Sequence, residues 1–276
     1  MLRAFSQVDV FAAEPYRGNA LAVVLDGAGL TTEEMGRFAA WTNLSETTFL
    51  LPPRDPAADY RVRIFTPTCE LPFAGHPTLG SCHAWLEAGG VPRDKGEIVQ
   101  ECGAGLIRLR TTGDGLAFEA PPLIRSGPVD EPLVEEIARS LGIPRADFVD
   151  VIWADNGPGW VAVLLADAES VLALRPGMVP VDVGVAGPYP AGSPCAFEVR
   201  AFTPEHGATV EDPVTGSLNA SLAQWLLRTG RAEAPYVAAQ GTVLGRSGRV
   251  HITTGADGQV WVGGSVITCV SGRAEL

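Results

Sequence analysis

The sequence predicts an α+β fold of two similar lobes derived from an internal duplication, and three observations carry that prediction. The triplet Phe-Thr-Pro occurs at Phe65 and again at Phe202, 137 residues later, and Thr78 and Thr215 follow at the same interval. Val8-Asp9-Val10 returns as Val149-Asp150-Val151, and Ala22-Val23 returns as Ala162-Val163, at intervals of 141 and 140 residues. The order of elements between these landmarks also repeats, as segments of strand period followed by a loop and a helix. A repeat of this length is far beyond a solenoid unit, so each copy reads as a lobe. The expected N-terminal lobe covers residues 1–120, completed by about 264–276, and the C-terminal lobe covers 121–263. Ala120-Pro121-Pro122 marks the boundary, and the active site is expected in the cleft between the lobes.

In the first copy, residues 6–11 alternate as a strand, residues 14–18 form a turn, and the apolar run 19–25 is a second, buried strand paired with the first. Thr31 and Glu34 have the spacing of a capping box, which opens a helix over about 32–41. Met35, Phe38, Ala39 and Trp41 fall nearest its buried side. The helix stops around Asn43, and 47–51 is strand again. Residues 61–65 alternate, and Pro67 closes that strand because proline lacks the ladder donor. A helix then opens at Gly75-His76-Pro77-Thr78, with Pro77 in its first turn and Gly89 at its C-terminal end. Short antiparallel strands over 97–101, 106–111 and 116–119 complete the copy.

The second copy opens with a helix over 130–141, ended by Gly142. Strands follow over 148–152 and 160–165, and the second Phe-Thr-Pro leads into the helix entered near Thr215. Gly245-Arg246-Ser247-Gly248 reads as a turn and not as a phosphate loop. The last strand, 259–263, is followed by a segment able to cross back to the first lobe.

Composition narrows the function classes. The chain has 276 residues, 46% hydrophobic and 19% charged, enough to bury about three-quarters of its unfolded surface. A net charge of −12 argues against nucleic acid and anionic membranes as partners, since both need a basic surface. No apolar run reaches the roughly 20 residues of a membrane span, and the N-terminus lacks the apolar core of a signal peptide. The five cysteines are scattered and odd in number, which speaks against a disulfide framework or structural zinc. Together these features indicate a cytoplasmic protein with reduced thiols.

The duplication directs the search for chemistry to the helix entrances, where unpaired amides and the helix dipole suit a carboxylate or a developing enolate. A polar residue stands near each entrance, His76 in the first copy and Asp212 in the second. Glu46 stands at a helix-to-strand junction, where partial burial would raise its pKa and suit it to general base chemistry. Taken singly, each has a plain structural reading: Glu46 as solvated surface, His76 as a satisfied core histidine, Asp212 as an N-cap. Together they supply an acid/base pair and an orienting group without an activated nucleophile. His76 and His83 lack a compact metal-ligand spacing, and His206 and His251 stand alone. The polar set therefore supports proton transfer with no metal and no cofactor, on a small-molecule substrate.

Val8-Asp9-Val10-Phe11, Gly18-Asn19, Asn43-Leu44-Ser45-Glu46-Thr47, Phe65-Thr66-Pro67-Thr68, Ala74-Gly75-His76-Pro77-Thr78, Glu211-Asp212-Pro213-Val214-Thr215-Gly216-Ser217 and Gln240-Gly241 with Gly245-Arg246 run in order over nearly the whole chain. In this series the chain resembles the phenazine-biosynthesis isomerase (PhzF-like) family. The resemblance implies a diaminopimelate epimerase-like fold, with each lobe a curved, mostly antiparallel sheet or half-barrel around a central helix. It implies Glu46 as the general acid/base, with His76 and Asp212 holding the substrate and orienting the proton. Gly75, Gly216 and Ser217 would then donate to a substrate carboxylate. It also implies isomerisation of a dihydro-hydroxyanthranilate-type compound, and a homodimer. Two-base epimerases of this fold place a cysteine at each helix entrance. Here Ala74-Gly75 and Asp212-Pro213-Val214 stand there instead, which favours a carboxylate-driven isomerase over an amino- or hydroxy-acid epimerase or racemase. A non-catalytic ligand-binding protein of the same fold is the third reading. Arg17 and Arg246 are expected at the surface.

Overall fold

The computed structural model describes residues 1–205 and 207–276; His206, set apart above as an isolated histidine, lies outside the described residues. The chain divides into two compact units, residues 1–119 with 263–276 and residues 120–262.

The N-terminal unit opens with β1 (Leu2–Val10) and β2 (Asn19–Val24), then α1 (Thr32–Thr42), β3 (Glu46–Leu51), β4 (Tyr60–Phe65) and the two-residue β5 (Glu70–Leu71). Helix α2 (Gly75–Glu87) and strands β6 (Ile98–Cys102), β7 (Gly105–Thr112) and β8 (Gly115–Glu119) follow. The C-terminal unit contains β9 (Arg125–Pro128), α3 (Glu131–Leu141), β10 (Asp150–Asp155), β11 (Val161–Leu164), α4 (Ala168–Ala173) and β12 (Val183–Pro188). It continues through β13 (Phe197–Glu205), β14 (Ala208–Asp212), α5 (Gly216–Arg228), β15 (Tyr236–Gln240) and β16 (Gly248–Thr254). The chain returns to the first unit along β17 (Val260–Gly264), and β18 (Val266–Glu275) pairs antiparallel with β1.

The pairing scheme repeats. In the first unit β1–β2 is antiparallel, β2–β3 parallel, β3–β4 and β4–β5 antiparallel, β4–β6 parallel and β6–β7 antiparallel. In the second unit β10–β11, β11–β12, β12–β13, β13–β14, β13–β15 and β15–β16 follow the same sequence of directions. Each parallel pair is bridged by a helix, as parallel strands require a crossover. Helices α2 and α5, of 13 residues each, occupy corresponding places. Their first residues, Gly75 and Gly216, are 141 apart, the interval of the Val-Asp-Val repeat and not that of Phe-Thr-Pro. The Thr78–Thr215 match is therefore displaced by one helical turn: Thr78 lies inside α2, and Thr215 is the N-cap of α5.

Helix α2 is enclosed on nearly every side, with Gly75 to Cys82 and Ala84 all buried, so it is a core helix and not an amphipathic surface one. Gly80 sets how closely it approaches the sheet. A Cβ there would lie 2.5 Å from Leu21 Cδ2 and 2.9 Å from Val8 Cγ2. Helix α1 is amphipathic and closes the other face of β3 and β4, burying Met35 and Ala39 against Phe49 and Phe65. Its capping box forms as expected, and Asn43 ends it in the left-handed conformation. Trp41 is a correction: it is 80% exposed and stacks on Phe38. It lies about 200° around the helix from Ala39, so the two cannot share the buried stripe.

In the C-terminal unit, Val134, Ile137, Ala138 and Leu141 of α3 pack with Val161, Val163, Val183 and Val185. The segment between β11 and β13 carries two elements that its sequence does not signal, β12 and the six-residue α4, which is capped by Asp167 accepting from Ser170 N. The two Phe-Thr-Pro triplets also diverge. β4 ends at Phe65, whereas β13 runs on through Pro204, which pairs with Thr209 in a hairpin with β14. Proline is tolerated there because an edge position leaves its missing donor unneeded.

Replacing Gly80 by alanine inserts a methyl group where no space exists, and we expect a loss of about 1–3 kcal/mol. A shift of the urea midpoint at unchanged slope would register it.

Candidate active site

Glu46 is the first residue of β3 and stands opposite Leu21 in the parallel β2–β3 pair. His76 is the second residue of α2, so the fold brings the start of a strand to the start of the central helix. Glu46 Oε2 faces His76 Nε2 at 3.3 Å, with the imidazole 4% and the carboxylate side chain 15% exposed. Asn19, the first residue of β2, places its Nδ2 3.4 Å from His76 Nδ1. Asn19 is itself held by the turn before it. Asp9 Oδ2 accepts from the amides of Arg17 at 2.8 Å and Gly18 at 2.9 Å. A side chain on Gly18 would put its Cβ 2.1 Å from the Val10 carbonyl oxygen.

Burial decides the state of His76. Desolvation pushes its pKa down to about 3, opposed only in part by a hydrogen bond with the Ala20 backbone. The ring is therefore neutral at ordinary pH, and its contact with Glu46 joins an imidazole to a carboxyl group and is not an ion pair.

The entrance to α5 is built differently. Asp212 ends β14, and its Oδ2 accepts from Thr215 Oγ1 at 2.6 Å. Thr215, not Asp212, is the N-cap, so the capping reading of Asp212 is corrected to one of holding the cap hydroxyl. Gln240, the last residue of β15 and fully buried, ties the entrance together. Its Oε1 accepts from Thr215 N at 3.0 Å and from Asn219 Nδ2 at 2.8 Å. Its Nε2 donates to Thr215 Oγ1 at 2.9 Å and to the Asp212 carbonyl at 3.2 Å.

Gly216 and Ser217 form the first turn of α5, as Gly75 and His76 do in α2, so Ser217 is the positional counterpart of His76. Ser217 Oγ accepts from Trp160 Nε1 at 3.1 Å, and its carbonyl accepts from Asn156 Nδ2 at 2.9 Å. The amides of these first turns have no intrahelical acceptor, which makes each helix start a donor set for an anion.

The fold thus gathers Glu46, Gly75 and His76 in the first unit, and Asp212, Gly216 and Ser217 in the second. Asn19, Trp160, Thr215, Asn219 and Gln240 were not singled out by sequence reasoning for a role. The available signal was a polar side chain inside an apolar element, as with Gln240 after Val237-Ala238-Ala239. Arg17 is exposed and Arg246 half-buried. The buried thiols are poorly placed for acid/base work: Cys82 is buried in α2 and its pKa is pushed up to about 12, and burial also raises that of Cys195.

A family model described as "Phenazine biosynthesis-like protein" matches residues 8–272. The Schizosaccharomyces pombe protein named Antisense-enhancing sequence 1 is 35% identical, with 99% of both chains covered. Trans-2,3-dihydro-3-hydroxyanthranilate isomerase of Pseudomonas aeruginosa is 33% identical, with 98% of both chains covered. The crystal structure of a PhzF-family phenazine biosynthesis protein from Bacillus anthracis shares the fold at a TM-score of 0.82 and 22% identity, over the whole of both chains. Among the described residues no helix is long and apolar enough to cross a membrane.

Gln240→Ala leaves the Thr215 amide and the Asn219 side chain without their shared acceptor. We expect a cost of about 1–3 kcal/mol, read from the denaturant midpoint.

Proposed function

The chain belongs to the phenazine biosynthesis-like family and is an isomerase, and on that premise we propose that Glu46 moves a proton between carbons of a small, unsaturated carboxylate. The substrate class we assign is that of the Pseudomonas aeruginosa relative, a dihydro-hydroxyanthranilate. The observation that carries the reading is the 3.3 Å approach of a carboxyl oxygen to a buried, neutral imidazole at a helix start. A charged imidazolium would stabilise the carboxylate and weaken it as a base. Burial removes that charge while keeping a polar partner for either protonation state of Glu46.

In the proposed step the Glu46 carboxylate takes a proton from carbon, and the C–H electron pair enters the neighbouring π system. The resulting carboxylic acid returns the proton at another carbon, so the double bond moves and tautomerisation follows. No oxidant, reductant or cofactor is consumed. Amides at Gly75 and Gly216, with the Ser217 amide or hydroxyl, would hold the substrate carboxylate and stabilise charge developing beside it. His76 and Asp212 would fix the remaining polar groups.

The test is turnover of trans-2,3-dihydro-3-hydroxyanthranilate by the wild type and by Glu46→Gln. The variant should keep its affinity for substrate and lose about 10²–10⁴ in rate, the usual worth of a positioned general base. Full activity in Glu46→Gln would remove Glu46 from this role.

A further inference from the structure

The end of the β3–β4 ladder remote from Glu46 carries a second cluster of charged groups. Leu51 pairs with Arg61 there, five residues along β3 from Glu46, or about 16 Å at the usual strand rise. A concavity of about 510 Å³ opens at this end, with Arg54, Arg61, Arg63, Glu70 and Glu101 among its lining residues.

The carboxylates in this concavity are already engaged. Glu70 takes Arg63 in a two-pronged pair, Oε1 to Nε at 2.7 Å and Oε2 to Nη2 at 2.6 Å. Arg63 Nη2 also donates to Thr32 Oγ1 at 2.9 Å, which fixes the guanidinium as part of the wall. Glu101 Oε2 accepts from the backbone amides of Arg54 at 2.6 Å and Asp55 at 3.1 Å. The guanidinium groups of Arg54 and Arg61 have no salt bridge among the described residues, and the buried Nε of Arg61 has no hydrogen-bond partner. Burial and the nearby Arg54 lower the Arg61 pKa, opposed only in part by Glu101 and Glu70, so the cation is held at a cost that an added anion would relieve. Three guanidinium groups against two committed carboxylates leave residual positive charge in a chain whose net charge is −12.

We propose that this concavity binds a multivalent oxyanion, a phosphate or polycarboxylate group, with Arg61 and Arg54 as its ligands and Arg63 as the preorganised wall. A guanidinium presents parallel N–H donors to two oxygens of such a group, and this fork geometry gives the site its preference for oxyanions over halides. The site is separate from the Glu46 centre and does not rest on the reaction assigned there.

The experiment is calorimetric titration of the full chain with inorganic phosphate, pyrophosphate and citrate at millimolar concentrations, using the wild type, Arg61→Gln, Arg54→Gln and Arg139→Gln. Arg139 is exposed on α3, and its replacement removes the same charge elsewhere. At least one probe should bind saturably to the wild type and to Arg139→Gln. Affinity should fall about tenfold or more in Arg61→Gln and Arg54→Gln. Exposed Arg54 keeps the test open if Arg61→Gln fails to fold. Stronger binding of the phosphates identifies a phosphorylated ligand, and stronger binding of citrate a polycarboxylate. The proposal is overturned if no probe binds saturably, or if the folded variants bind as the wild type does.

Discussion

Seating the first turn of α2 inside the N-terminal unit takes an imidazole out of water, and the surrounding chemistry answers that demand. A buried polar ring costs free energy unless its nitrogens have partners. Asn19 meets Nδ1, while Nε2 makes no hydrogen bond among the described residues and has the Glu46 carboxyl oxygen 3.3 Å away, so the start of β2 and the start of β3 both abut one residue. Gly80 lets the helix come close enough for this to happen. The same burial keeps the ring uncharged, which makes a structural constraint into a chemical one. The carboxyl group beside it faces a polar but neutral neighbour.

The two units show one topology used with different side chains. His76 in α2 and Ser217 in α5 occupy the same helical position, yet one is matched with a carboxyl group and the other with an indole N–H. In the second unit the polar density moves into Gln240, Thr215 and Asn219, a closed network that fixes the α5 entrance from within. Each entrance therefore keeps its first-turn amides while varying what surrounds them.

Much of this was legible in the sequence. The repeat could be read from short motifs: Ala22-Val23 and Ala162-Val163 sit on buried strands where both copies need the same small apolar residues, although Val149 of the other match is exposed just before β10. Glu46 and His76 were visible because they interrupt structural punctuation, at a helix-to-strand junction and a helix start. The partners were not visible. The bonds of Gln240 to Thr215 and of Asn19 to His76 join segments 25 and 57 residues apart, and depend on sheet register that no local pattern encodes. Trp41 misled because an apolar residue near a helix end was assigned to the stripe without regard to its angle. The short α4 escaped because six residues carry too little periodicity, and its Asp167 cap was the only mark.

The chemistry of the Glu46 centre turns on His76 being neutral where it faces the carboxyl group. Nitrogen-15 NMR of the histidine rings as a function of pH, with His76→Gln used to assign the signal, measures that state directly. The His76 ring should hold its neutral shifts through the acid range and protonate only as pH approaches about 3. Titration near the ordinary histidine value of about 6.5 would mean an imidazolium paired with Glu46, and would contradict it.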